Sequence, residues 1–315
     1  MIRRLSLVGL GLLGGSVAKA ARAQGLADEI VAVGRDRERL EPARRDGVVD
    51  RVTTDLAEGV GDADFCLLAT PVATLAALLP AVWRALPSDA VLTDVGSTKA
   101  AIVHAAERLG EQRPLAFVGS HPMAGSEQAG YRVSRQDLFR GATVIITPTE
   151  RTDSHAVKRV GEFWEALGGR LVTLDPLTHD RATAAISHLP HLVADALVDA
   201  VVRMDPRFFE VAGRGFKDTT RIAASDARMW REIFQENRAG LAEALTAFRA
   251  ALDDLEGLLA TGDVPAIEGA LDRIRQPFNV NAVAQAAALA ALEDDSHVVE
   301  CLRMIEAGRD RKSVV

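Results

Sequence analysis

The segment Gly119-Ser-His-Pro-Met-Ala-Gly-Ser-Glu-Gln-Ala-Gly130 sets one imidazole, His121, among small residues. A neutral imidazole can take a proton from an alcohol near neutral pH. Pro122 has no backbone donor and biases His121 toward an extended conformation, so the segment reads as a loop rather than an element interior. The apolar run Leu115-Ala-Phe-Val118 reads as a strand delivering His121 to its C-terminal end, where open α/β sheets bind ligands. On the His-Pro pair alone, a turn histidine bonded locally explains the segment at least as well. Ser97, in Asp94-Val-Gly-Ser-Thr-Lys99, offers a hydroxyl near an alcohol, an ordinary helix N-cap, or both. Lys217 and Arg221, in Gly213-Arg-Gly-Phe-Lys-Asp-Thr-Thr-Arg221, read as a flexible basic loop leading into a helix. Such a loop suits carboxylate capture, with arginine giving the bidentate fork. Surface salt bridges are the alternative, and the better reading for Arg214. In His188-Leu-Pro-His191, Pro190 should kink a helix. His188 reads as a satisfied, half-buried histidine and His191 as a site candidate. No cysteine or His-Glu-x-x-His spacing accompanies them, so no metal is expected.

The elements that would position these groups begin with a cofactor signature. Leu5-Ser-Leu-Val8 reads as a buried strand running into Gly9-Leu-Gly11-Leu12-Leu13-Gly14-Gly15 and then a helix to about Ala23. This is G-x-G-x-x-G in its strand–turn–helix setting. Gly9 permits the tight turn, Gly11 the approach of a pyrophosphate and Gly14 close helix–strand packing. The helix N-terminus, with Leu12 and Leu13, offers free amides to phosphates. A second strand, Ile30-Val-Ala-Val33, ends at Gly34-Arg35-Asp36. Asp36 is placed to accept from a ribose 2′-hydroxyl, which favours NAD. Arg35 beside it also fits a 2′-phosphate, so NADP stays open. The alternative account of Asp36 is a solvated charge in the run Arg35–Arg39.

The rest of the first half alternates as a doubly wound sheet should. Strands at 64–69, 90–93, 115–118, 142–147 and 170–174 alternate with helices, and Thr70-Pro71 follows the first of these. If the sheet is parallel there, Gly9, Asp36, Thr70-Pro71, Ser97 and His121 share one edge. From Pro176 strand patterns vanish and alanine-rich helices dominate. The expected organisation is a Rossmann-type dinucleotide-binding domain over 1–174, an all-α domain over 175–293 and a short polar tail over 294–315. The apolar series Leu241, Leu245, Phe248, Leu252, Leu255, Leu258 and Leu259 suggests pairing between subunits, hence a homodimer. The chain has 315 residues and a net charge of −7, which argues against nucleic acid or an anionic membrane as partner. Two cysteines, Cys66 and Cys301, give no disulfide framework, and Cys66 reads as a core residue. No uninterrupted apolar stretch and no leader pattern stand out, so a cytoplasmic enzyme is expected.

Five blocks occur in order: the glycine turn, Asp94-Val-Gly-Ser-Thr-Lys99, Gly119-Ser-His-Pro-Met-Ala-Gly-Ser-Glu127, Ser187-His-Leu-Pro-His191 and Gly215-Phe-Lys-Asp-Thr-Thr-Arg-Ile-Ala223. Together they resemble the prephenate dehydrogenase family, which also holds arogenate and cyclohexadienyl dehydrogenases, over about residues 3–290. The resemblance implies an NAD(P)-binding domain, a helical dimerisation domain and oxidative decarboxylation of prephenate to 4-hydroxyphenylpyruvate in tyrosine biosynthesis. It implies His121 as proton acceptor, supported by Ser97, and Arg221 as the binder of a substrate carboxylate. His191 and Lys217 would lie near the substrate, while Glu127, His179 and Trp230 would line or gate the pocket. Two departures stand out: Arg214 interrupts a glycine run, and Thr219 replaces a commoner phenylalanine. The sequence does not separate prephenate from arogenate. A hydroxyacid dehydrogenase of related build would instead use a lysine of the helical domain, for which Lys217 is the candidate. A non-catalytic NAD-binding sensor would need none of these groups.

Overall fold

The computed structural model describes residues 1–126 and 128–275. Glu127, the domain end expected at 293 and the tail 294–315 lie outside the described residues. Two compact units are present, Met1–Thr246 and a second beginning at Ala247.

In the first unit, β1 (Ile2–Val8), α1 (Leu12–Gln24), β2 (Ala27–Val33), α2 (Arg37–Arg45), β3 (Arg51–Thr53), α3 (Leu56–Val60), β4 (Phe65–Leu68), α4 (Val72–Ala85), β5 (Val91–Asp94), α5 (Ala100–Gln112) and β6 (Ala116–Pro122) follow one another. Then come β7 (Thr143–Thr147), α6 (Ser154–Ala166) and β8 (Arg170–Thr173). They form one eight-stranded sheet in the order β3-β2-β1-β4-β5-β6-β7-β8. The first six strands are parallel. The order reverses beside β1, which makes the crevice between β1 and β4 the expected ligand edge. The sequence reading passed over β3, whose three residues are too few to show a period.

Both faces of the sheet are buried, as a crossover topology requires. Successive residues of β4 serve opposite faces. Phe65 and Leu67 join Val17, Val160 and Trp164 in one core, and Cys66 and Leu68 join Leu79, Val82 and Trp83 in the other. Cys66 is a fully buried core thiol, and burial pushes its pKa up.

The strand bearing His121 departs from expectation. Ala116–Val118 pair with β5, but β6 then continues through Gly119–Pro122, paired antiparallel with Val144–Thr147 of β7. β7 and β8 are parallel to each other, so the sheet carries one antiparallel junction. His121 therefore sits inside a strand, opposite Ile145, and not in a loop. Pro122 is tolerated because the Met123 amide next to it donates to the Thr143 carbonyl at 2.8 Å, which leaves Pro122 at a position whose nitrogen the antiparallel ladder does not need.

After β8 no strand occurs among the described residues. α7 (Pro176–Thr183), a π turn (Ala184–His188) and α8 (Leu189–Met204) run on continuously. Pro190 lies in the first turn of α8, and the π turn immediately before it absorbs the missing hydrogen bond. The run Pro176–Met204 is, by length and composition only, apolar enough to cross a membrane. Asp180, Arg181 and His188 interrupt its apolar run, so no uninterrupted apolar stretch stands out there in the sequence. It exposes Ile186, Leu197, Val202 and Met204.

A 3₁₀ turn (Pro206–Val211), α9 (Arg214–Thr220), a second 3₁₀ turn (Arg221–Ala224), α10 (Ala227–Glu236), α11 (Arg238–Thr261) and α12 (Val264–Arg275) follow. The basic segment expected as a flexible loop is thus helical. Its two threonines return their hydroxyls to the turn before, Thr219 to the Gly215 carbonyl and Thr220 to the Phe216 carbonyl, both at 2.8 Å. Asp226 then caps α10 by accepting from the amides of Arg228 and Met229. Leu241 is buried in the first unit. In the second, Leu252, Leu259, Val264 and Leu271 are exposed.

Candidate active site

The glycine turn has the shape a dinucleotide pyrophosphate needs. Gly9 has φ +100°, a conformation L side chains rarely adopt, and a Cβ there would lie 2.5 Å from the Ala69 carbonyl oxygen. A Cβ on Gly14 would lie 2.1 Å from the Gly9 oxygen, whereas one on Gly11 would meet nothing within 4 Å. Close packing at Gly9 and Gly14 with open space at Gly11 matches the division of roles in this motif. Leu12 and Leu13 open α1, which has no side-chain cap, so its first amides face outward. Across the crevice Thr70 carries a buried hydroxyl oxygen with no hydrogen-bond partner, beside Pro71 at the start of α4. These residues fit NAD.

Asp36 caps α2, accepting from the Glu38 amide at 3.0 Å, and pairs with Arg39 at 3.2 Å. Both it and Arg35 are exposed at the end of β2.

His121 is the centre of a buried polar cluster. Its Nδ1 lies 2.9 Å from His179 Nε2, and His179 Nδ1 lies 2.8 Å from Asp180 Oδ1. Asp180 also accepts from the main-chain amides of Lys99 at 2.7 Å and Ala100 at 3.0 Å. It therefore caps α5 from another element, and Ser97 does not take that role. Ser97 is half-buried and makes no side-chain hydrogen bond among the described residues. The Lys99 ammonium, fully buried, pairs with Asp94 and donates to the Ser120 carbonyl at 3.0 Å. Asp94 accepts in addition from the amides of Gly96 and Ser120.

Burial sets the protonation states. Desolvation, reinforced by the nearby His179, Lys99 and His188, holds the His121 imidazole well below its ordinary pKa. Desolvation likewise lowers His179. Burial opposes ionisation of Asp180, but the hydrogen bonds from His179 and the two amides outweigh it and hold the carboxyl below its usual range. Burial lowers Lys99, with Asp94 pulling the other way. His121 is thus a neutral base, joined through His179 to an anionic carboxylate.

A second group lies on the helices. His191 stacks on Trp230 with ring centroids 3.5 Å apart and planes at 27°. Burial, and the charge of Arg221, lower His191, while a hydrogen bond with the Ile222 backbone raises it. The Trp230 indole nitrogen is buried without a partner. His188 is buried and touches Trp230 edge-on. Asn237 Nδ2 donates to the Asp180 carbonyl at 2.6 Å and lies 3.2 Å from His188 Nδ1. An amide nitrogen only donates, so His188 Nδ1 accepts and its ring proton sits on Nε2. Lys217 is exposed on α9 and makes no side-chain hydrogen bond or ion pair among the described residues. Glu127 lies outside them.

The structure thus brings together His121 with His179, and His191 with Trp230 and Arg221. It adds Asp94, Lys99, Asp180 and Asn237, which the sequence reading did not single out as site residues. The Asp94–Lys99 pair left a trace, since opposite charges five apart after an apolar strand are suited to a buried ion pair. Asn237 left none.

Comparison with known proteins agrees with this geometry. Residues 17–173 match the family profile described as prephenate dehydrogenase, nucleotide-binding domain, and 175–273 match prephenate dehydrogenase, dimerization domain. A cyclohexadienyl dehydrogenase of Zymomonas mobilis is 33% identical, over 84% of this chain and 90% of its own. A prephenate dehydrogenase of Bacillus subtilis is 36% identical over 74% of this chain, which spans 63% of that protein. A crystal structure of prephenate dehydrogenase from Aquifex aeolicus with hydroxyphenyl propionate and NAD+ superposes with a TM-score of 0.82 at 36% identity, over 87% of this chain and 96% of that one. On these matches, the chain belongs to the prephenate dehydrogenase family.

Proposed function

We propose that this chain is an NAD-dependent prephenate dehydrogenase, converting prephenate to 4-hydroxyphenylpyruvate and CO₂. The observation that carries the reading is His121, a buried neutral imidazole held in a strand just beyond the end of β5, on the sheet edge that also bears the glycine turn. Prephenate presents a ring alcohol, a ring carboxylate and a pyruvyl side chain. NAD, when bound at the glycine turn, would supply the acceptor for the hydride leaving the alcohol carbon. His121 takes the alcohol proton as the carbonyl forms. The ring carboxylate then leaves as CO₂, its bonding electrons make the ring aromatic, and the resulting phenolate recovers the proton from His121. No proton is lost overall, so one base suffices.

Ser97, at the end of β5, supplies a hydroxyl near that alcohol. Arg221 holds a substrate carboxylate, and His191, Lys217 and Trp230 complete the wall. Gly9, Gly11, Gly14, Leu12, Leu13, Thr70 and Pro71 cradle the pyrophosphate, and Asp36 takes the ribose hydroxyl. The domain division near 174, a cytoplasmic setting and a homodimer belong to the same reading. The exposed apolar side chains of α8 and α11 support a second copy as partner.

Replacing His121 with Asn tests the chemistry. Turnover of prephenate should fall about a hundred- to ten-thousandfold while NAD affinity and Tm stay at wild-type values. Retained turnover would remove His121 from the mechanism.

A further inference from the structure

We propose that His179 and Asp180 are positioning residues that determine which nitrogen of His121 accepts the substrate proton, and that this nitrogen is Nε2. The proposal rests on the reading of His121 as the base. It follows from hydrogen-bond inventory. An ionised carboxylate only accepts. Asp180 is pinned by two amides at the start of α5, Lys99 N at 2.7 Å and Ala100 N at 3.0 Å, so it can neither rotate away nor donate. His179 Nδ1, 2.8 Å from Asp180 Oδ1, must therefore carry the proton. That leaves a lone pair on His179 Nε2, which lies 2.9 Å from His121 Nδ1. His121 Nδ1 must donate into it, and Nε2 is left bare. The rings meet at 62°, which suits an edge N–H aimed at a lone pair rather than a stack. All three side chains are buried, with His179 0% exposed, so water does not compete for these bonds.

The same arrangement serves the protonated state. When His121 gains a proton, its Nδ1–H still donates to His179, and His179 still donates to Asp180. No proton need travel beyond His121. The other groups facing it are the Lys99 ammonium, tied to Asp94 from the β5–α5 side, and His188 of the π turn. Through the relay, Asp180 supplies the compensating negative charge. An orienting carboxylate is the usual reason a catalytic imidazole keeps one tautomer.

The experiment uses the full-length protein in three variants. His179→Phe removes the acceptor for His121 yet leaves Asp180 bonded to the amides at the start of α5. Asp180→Asn removes the anion and one acceptor for α5. His179→Gln restores a carbonyl for His121 Nδ1 and an amide N–H for Asp180. Both His179→Phe and Asp180→Asn should lower kcat about a hundredfold or more, with KM for prephenate near wild type. His179→Gln should recover about tenfold over His179→Phe. Nitrogen NMR of isotope-labelled histidine, assigned through a His121 variant, reads the tautomer directly. The wild type should show a bare Nε2 and a protonated Nδ1, and Asp180→Asn a mixture of the two. A protonated Nε2 in the neutral wild type overturns the proposal. So does a His179→Phe enzyme with unchanged kcat. If Asp180→Asn does not fold, His179→Phe decides alone. If the wild type shows the bare Nε2 but never turns over prephenate, the activity reading falls and the positioning stands.

Discussion

The two interior glycines of the cofactor turn should fail in opposite ways. An alanine at Gly14 would place its Cβ 2.1 Å from the Gly9 carbonyl oxygen and 3.1 Å from the Ala69 Cβ. The oxygen belongs to the backbone of a tight turn and cannot rotate aside. Alanine gains about 1 kcal/mol of helix propensity over glycine, while overpacking of this kind costs about 1–3 kcal/mol or more. A net loss near 2 kcal/mol is expected, and Tm should fall by about 4–8 °C. At Gly11 a Cβ meets nothing within 4 Å, and φ −82° suits any residue. Gly11→Ala should therefore fold as the wild type does. It should instead bind NAD about tenfold or more weakly, because the methyl stands where the pyrophosphate approaches the helix amides. Thermal unfolding and NAD titration of both variants separate the two effects. A Gly14→Ala protein as stable as wild type, or a Gly11→Ala protein with wild-type NAD affinity, would refute the assignment of roles.

Three further outcomes are expected. Lys99→Met strands the fully buried Asp94 carboxylate and should cost about 3–5 kcal/mol in chemical denaturation; Lys99→Met combined with Asp94→Asn should cost less. Burial lowers His188 from 6.5 to about 4, so between those values the unfolded chain binds a proton the folded chain does not. Stability should accordingly fall as pH drops through that window, by roughly 3 kcal/mol from His188 alone, with His121 and His179 adding to the fall, and denaturant midpoints measured against pH should show it; a flat profile would contradict the buried neutral state. Arg221→Ala should raise KM for prephenate about tenfold or more with a smaller change in kcat, as expected for a group that binds substrate and transition state alike; steady-state kinetics would reveal the reverse split if Arg221 acted in the chemical step.

The parts of the fold and site that could be seen in the sequence were those with a period or a fixed spacing. The strand–glycine–helix entry at Leu5–Ala23 and the apolar strands near residues 65, 91 and 144 follow from local pattern alone, and the structure has them. His121 shows the limit. Pro122 signals a break, and locally that is correct. Only the antiparallel pairing with Val144–Thr147, more than twenty residues away, keeps the chain in a strand there. Ser97 shows the same limit for caps, since the amides it was expected to satisfy are taken by Asp180, eighty residues on. Glycines 213 and 215 suggested a loop because they permit one, yet Gly213 takes the extended N-cap position of α9, a role glycine fills well. Asp180 and Asn237 act through contacts between elements far apart in sequence, which periodicity does not encode.

Reduction of cofactor by the purified full-length protein, followed by near-ultraviolet absorbance in four pairings of prephenate or arogenate with NAD or NADP, tests the central claim most directly. The account predicts reduction with prephenate and NAD, with one CO₂ released per cofactor reduced. A folded protein that binds NAD yet reduces none in any pairing would contradict it.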